Sequence, residues 1–248
     1  MRLQRRNRLL LHATGLTLAA LVAFAGCSVR DGRQAVDPRI ADASRPLVFL
    51  TYPTVPPCSY VDSRGEIVGR DVDLARRIAA RMGRQLVVEG VEFNDIIPRL
   101  KAGTADFALA TIIITEARLR DVDFSVPYDK GGACFLYRLD GRKPRMSQLP
   151  VFRIGAESDS VHDLYLCSHG GDPIRFVSLG EAIAALERGE IDAVFFDAVQ
   201  LRAKAEASGG RFAVTQLVTK DWYGVAVDKR RPDVLAAANA VIEEGGAR

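Results

Sequence analysis

The chain has 248 residues, 48% of them hydrophobic, with 34 lysines and arginines against 31 aspartates and glutamates, a formal charge of +3. The surplus sits at the start: Arg2, Arg5, Arg6 and Arg8 precede any acid, so residues 27–248 carry 30 basic and 31 acidic groups, a balance of −1. That near-neutral remainder of 222 residues removes any net-charge case for nucleic-acid binding and is long enough for one large domain or two small ones.

In chain order, the basic start leads into an uncharged, mostly apolar run from Leu9 to Ala25 and then Gly26-Cys27. This is the pattern of an export signal. Small residues before a cysteine resemble the bacterial lipobox, with Phe24 where leucine is usual. The resemblance implies a signal peptide over 1–26, lipid on Cys27 and a periplasmic or cell-surface protein held to the membrane. The other reading is an uncleaved anchor, because the apolar run approaches the length of a membrane span. No later segment is apolar for long enough to cross a bilayer. Residues 27–46 are polar for most of their length and lack periodicity, which predicts a tether.

From Leu47 onward short apolar strands alternate with amphipathic helices, the pattern of an α/β sheet protein. A strand is predicted over Leu47–Thr51. A helix capped by Asp71 carries Leu74, Ala75, Ile78, Ala79 and Met82 at helical spacing and stops at Gly83. Leu86–Val91 is the next strand, and Asn94 caps a short helix in which Ile96, Ile97 and Leu100 face inward. Further on, Val151–Ala156 and Ile174–Val177 read as strands. Asp159 or Ser160 caps the helix between them, and Ser178 with Glu181 has capping-box spacing. Ile191–Phe196 is an apolar strand ending at Asp197, Trp222–Val227 is the last strand, and Pro232 begins the final helix.

The run KAGTADFALATIIITEARLRDVDFS, from Lys101 to Ser125, is the most informative for function. An apolar strand within Ala105–Ala110 is followed by Thr111, three isoleucines, Thr115 and Arg118. Ligands bind in the crevice outside the carboxyl ends of such strands, and an arginine there can grip a carboxylate with two parallel hydrogen bonds. A solvated helix face shared by Arg118 and Arg120 is the alternative reading.

Five segments share one resemblance: Gly69 to Ala75, Lys101-Ala102-Gly103 through Asp106, Thr115 to Ser125, Gly189 to Val194, and Tyr223 to Val227. In this order and spacing they resemble the family 3 bacterial extracellular solute-binding proteins, the polar amino-acid receptors of ABC importers, over roughly Leu47 to Val241. The resemblance implies an α/β, two-lobe periplasmic-binding-protein-like (type II) fold with two hinge strands. It divides the chain into one lobe of residues 47–130 plus 224–248 and a second of 131–223. It places a carboxylate-binding arginine at Arg118, a loop hydroxyl at Thr111, an ammonium-binding acid at Asp197 and a helix-start hydroxyl at Ser160. Asp197 alone also reads as a helix N-cap. Several positions depart from the family. Ile113 replaces a pocket hydroxyl and keeps its backbone N–H, Tyr52 replaces an acid, Val55 replaces an aromatic, Cys58 replaces a phenylalanine, and Asp159 replaces a glycine. Tyr52 reads either as an aromatic wall of the pocket or as a core tyrosine.

The expected function is therefore capture of an amino acid or similar zwitterion by a monomeric, lipid-anchored receptor that serves an ABC transporter permease, with no catalysis, cofactor or nucleic acid. The alternatives are an enzyme similar to the cyclohexadienyl dehydratases, drawing on Glu157, Asp159 or His162, and a ligand-sensing protein. No metal is expected, because His162, Cys167 and His169 match no standard zinc spacing. Cys58, Cys134 and Cys167 allow at most one disulfide. Cys134 with Cys167 is the first pair to test, and the sequence does not fix it.

Overall fold

In the computed structural model, which describes residues 37–42 and 44–246, the apolar runs pair into two separate five-stranded sheets. The expected signal peptide and Cys27 lie outside the described residues. The described residues begin with a short helix, α1 (Pro38–Ala41), and continue as β1 (Leu47–Thr51), the small antiparallel strands β2 (Thr54–Val55), β3 (Ser59–Val61) and β4 (Ile67–Val68), and α2 (Arg70–Arg81). Then come β5 (Leu86–Gly90), α3 (Ile96–Ala102), β6 (Phe107–Ala108), α4 (Glu116–Leu119) and β7 (Asp123–Phe124). The remaining elements are β8 (Asp129–Gly131), β9 (Ala133–Arg138), β10 (Ile154–Glu157), α5 (Val161–Ser168), β11 (Ile174–Phe176), α6 (Leu179–Arg188), β12 (Ala193–Asp197), α7 (Ala198–Ala207), β13 (Phe212–Val214), β14 (Asp221–Tyr223), β15 (Ala226–Val227) and α8 (Pro232–Gly246).

The two sheets follow one plan. The first has the order β5-β1-β6-β15-β7 and the second β11-β10-β12-β9-β13. In each, three parallel strands are followed by two that run antiparallel to their neighbours. Between the sheets β8 pairs with β14 as a two-stranded ribbon. The chain thus crosses between lobes twice, and each crossing strand feeds an antiparallel strand, β9 on the way out and β15 on the way back. This is a two-lobe fold with two hinge strands.

Alternation along the strands assigns the cores. Leu47 and Phe49 of β1 pack with Val72, Ala75 and Ile78 of α2 and Val234 and Ala238 of α8, while Leu50 faces Ile96 and Leu100 of α3. In β9, Ala133 and Phe135 join Leu166 of α5, whereas Cys134 and Leu136 join Ala182 and Leu186 of α6 and Leu201 of α7. This alternation excludes the Cys134–Cys167 bridge. Cys134 is buried on one face of the second sheet and Cys167 rides on α5 on the other, so Cys58, Cys134 and Cys167 are all free thiols.

The sequence expectation also differs at local points. Asp71 does not cap α2: Gly69 holds the cap position, and Asp71 is buried within the first turn. The stretch expected as one strand over Trp222–Val227 is two, β14 in the hinge and β15 in the first sheet. Residues expected within the tether hold α1, whose Arg39 is buried and forms ion pairs with Asp37 at 2.7 Å and Asp228 at 2.6 Å.

Candidate ligand-binding site

Arg118 lies on α4, a single turn started by Thr115, whose hydroxyl accepts the Arg118 backbone N–H at 3.3 Å. Its Nη1 donates to the Ile113 carbonyl at 2.8 Å, and the guanidinium carbon stands 5.4 Å from the centre of the Phe93 ring. These contacts fix the side chain but neutralise nothing. Among the described residues Arg118 makes no ion pair within 4.0 Å, yet burial lowers its pKa, and the charge of Asp197 is the opposing influence. A partly desolvated guanidinium with unused N–H groups has the chemistry to receive a carboxylate.

Asp197 stands on the other lobe, at the junction of β12 and α7, with 6% of its surface exposed. It occupies the N-cap position of α7, but its side chain makes no capping hydrogen bond. Instead Oδ1 accepts the Tyr223 hydroxyl at 3.0 Å and lies 3.6 Å from Nε2 of His162. Tyr223 belongs to hinge strand β14 and crosses directly over Gly131 of β8, where any Cβ would collide with its hydroxyl. Burial, reinforced by the Asp197 charge, raises the phenol pKa and keeps it a donor. The acid is thereby tied to the hinge.

Around this pair the structure gathers some of the expected residues and commits others. Ile113 lies five residues before Arg118 and bridges Tyr223: Ile114 N–H bonds the Trp222 carbonyl and Gly224 N–H bonds the Ile112 carbonyl, which leaves the N–H of Ile113 turned away from β14. Tyr52, just past β1, meets Phe93 edge to face at 6.3 Å between ring centres. Thr111 is buried with φ of +51°, a strained value for a β-branched residue, and its hydroxyl donates to the Ala110 carbonyl at 2.7 Å. Ser160 caps α5, accepting Asp163 N–H at 3.1 Å and donating to the Glu157 carbonyl at 2.7 Å. Both hydroxyls have their proton engaged by protein, and Ser160 already takes Asp163 N–H, so among the described residues the backbone N–H groups of Val161 and His162 are the free donors at the start of α5.

Three residues at the site escaped the sequence reading of the binding pocket. Phe93 immediately precedes the helix start that Asn94 suggested, and its aromatic character was the available signal. Tyr223 was hidden inside a presumed continuous strand. His162 enters the sequence reading as a poorly spaced metal-ligand candidate and as a catalytic acid, whereas it is buried against Phe196, with ring centres 4.4 Å apart, beside Asp197. No group of three or more metal-ligating side chains occurs among the described residues.

The sequence model of the bacterial extracellular solute-binding proteins, family 3, matches residues 47–245. The chain belongs to this family. It is 28% identical over 200 residues to the ABC transporter arginine-binding protein 1 of Escherichia coli K12, covering 78% of this chain and 81% of that protein. It is also 28% identical to the ABC transporter glutamine-binding protein of Bacillus subtilis 168, covering 73% and 69%. Among solved structures, holo ArgBP from T. maritima superposes with a TM-score of 0.74 at 31% identity, covering 85% of this chain and 94% of that one. In this solute-binding protein the two-sheet plan and the hinge ribbon are the family's two lobes and their crossings.

Proposed function

We propose that this chain is an extracytoplasmic receptor that captures an amino acid, or a similar small zwitterion, between its lobes and delivers it to an ABC importer. The observation that carries the reading is the pair Arg118 and Asp197. Among the described residues, one lobe presents a partly desolvated cation without an ion pair, and the other a buried carboxylate that accepts the Tyr223 hydroxyl. Two opposite charges on facing lobes match the carboxylate and ammonium of one small ligand, whose contacts with both lobes favour the closed state. The names of the relatives, which bind arginine or glutamine and serve ABC transporters, support it.

In this reading the lobes comprise residues 47–130 with 224–248 and residues 131–223, closing as a monomer about β8 and β14. Arg118, Ile113 and Tyr52 line one side, and Asp197 and Ser160 the other; Thr111 reaches the ligand only by turning its hydroxyl away from Ala110. The fold works by binding and closure, without a chemical step. Lipid on Cys27 anchors the receptor. Replacing Cys27 with serine is expected to move the protein out of the detergent phase, and unchanged partitioning would discard the lipid anchor.

A thermal-shift screen tests the function. Standard amino acids are compared with the same molecules lacking the α-amine, and hits are analysed for products. We expect stabilisation by at least one amino acid, none by its deaminated form, and recovery of the ligand intact. Equal stabilisation by the deaminated form would remove Asp197 from the site, and conversion of the ligand would favour an enzyme.

A further inference from the structure

His162 is the second residue of α5, is 4% exposed, and among the described residues neither of its ring nitrogens has a hydrogen-bond partner. A buried polar group without a partner is costly, and such groups in folded proteins usually mark water, a ligand or a functional role. His169 shows the contrast. Its Nδ1 meets the Tyr165 carbonyl at 2.8 Å and the Ser168 hydroxyl at 3.1 Å, as a structural histidine does. His162 is instead held by packing alone, against Phe196 and the edge of Phe195, with Nε2 facing the Asp197 oxygen that already accepts the Tyr223 hydroxyl.

Resting on the zwitterion reading above, we propose that His162 is a third member of the ammonium site: its neutral imidazole accepts one ammonium N–H beside Asp197, so the ligand is held near neutral pH and released on acidification. An ammonium has three donors, and a single carboxylate oxygen pair shared with Tyr223 leaves at least one of them to satisfy. A ring lone pair supplies that acceptor. Once protonated, the ring has no lone pair, repels the ammonium and competes with it for Asp197.

The groups facing the ring from each packed element are few. Asp197 lies at the end of β12, with Tyr223 of β14 behind it. Glu157 ends β10; its carboxylate accepts Leu179 N–H at 3.1 Å, burial raises its pKa, and His162 acts against that rise only when protonated. On α5 itself Asp163 is taken by Arg175 at 2.9 Å. Arg118 acts from the opposite lobe through Asp197.

The test is calorimetry on the full chain with the standard amino acids, tested singly at about pH 8 and about pH 5. A group that must lose its proton for binding costs up to about tenfold in affinity per pH unit below its pKa. Wild-type affinity for the tightest amino acid is therefore expected to fall by at least about tenfold at the lower pH. His162→Gln keeps a hydrogen-bonding side chain without a titration, and is expected to bind at about pH 8 and to lose most of this dependence. Should that variant fail to fold, wild-type titrations near pH 6 in two buffers of different ionisation enthalpy give the answer, with proton release on binding expected. A pH-independent affinity, a dependence that survives in His162→Gln, or no proton release would overturn the role of His162 and leave the zwitterion reading standing. Failure of every amino acid to bind at about pH 8 would overturn both.

Discussion

Two clusters of arginine and aspartate in this molecule are built from the same side chains and left in opposite states. In the first lobe Arg231 is wholly buried, paired with Asp106 and held by both oxygens of Asp233 at 2.9 and 2.7 Å. Arg39 joins the same group through Asp228 and Asp37, and Asp106 also accepts the Val48 backbone N–H at 2.7 Å. Each charge there meets an opposite charge inside the protein. In the cleft, Arg118 and Asp197 stand on different lobes and are steadied by a carbonyl, a phenyl ring and a phenol, all uncharged. A closed network secures a lobe, whereas the open pair, on the function proposed above, keeps its charges available to a ligand; the difference lies in the partners rather than in residue type.

Breaking the closed network should have the largest effect on stability. Asp106→Ala leaves Arg231 buried beside Asp233 alone and removes the acceptor for Val48 N–H, so a loss of about 3–5 kcal/mol is expected from urea unfolding. A loss below about 1 kcal/mol would mean the network is not closed in the sense argued.

Asp71 gives a smaller and opposite effect. Burial raises its pKa to about 6 from the ordinary 3.8, and among the described residues one of its oxygens has no partner. Between those two values the folded state holds a proton that the unfolded state has released, so stability falls as pH rises through that window. Above it the full penalty applies, about 3 kcal/mol from a shift of about two units. Asp71→Asn is therefore expected to gain about 1–3 kcal/mol near pH 7.5 and nothing near pH 3.5. A loss of stability near pH 7.5 would show that the charged carboxylate is needed.

How much of this was legible in the sequence depends on the range of the interaction. Ser178 caps α6 as its spacing indicates, accepting Glu181 N–H at 3.2 Å, because capping is settled within one turn. Pro232 starts α8 for the same local reason. Arg118 and Asp197 stood out as charges next to apolar strands, but nothing local says that Asp197 leaves its helix end uncapped and turns to Tyr223. That choice depends on a hinge strand 26 residues away in sequence. Asp71 shows the reverse error: its place at a helix start suggests a cap, while tertiary packing buries it. Strands β9 and β13 carry no clear local signal, because each is defined by its neighbours across the sheet.

The central claim is that the cleft pair is kept open for a ligand, and calorimetry on Arg118→Ala, paired with its urea unfolding curve, tests it most directly. The account predicts a loss of about 2–5 kcal/mol in affinity for the amino acid that wild type binds, with stability changed by less than about 1 kcal/mol. Unchanged affinity together with a loss of several kcal/mol in stability would make Arg118 a structural charge like Arg231, and would contradict the account.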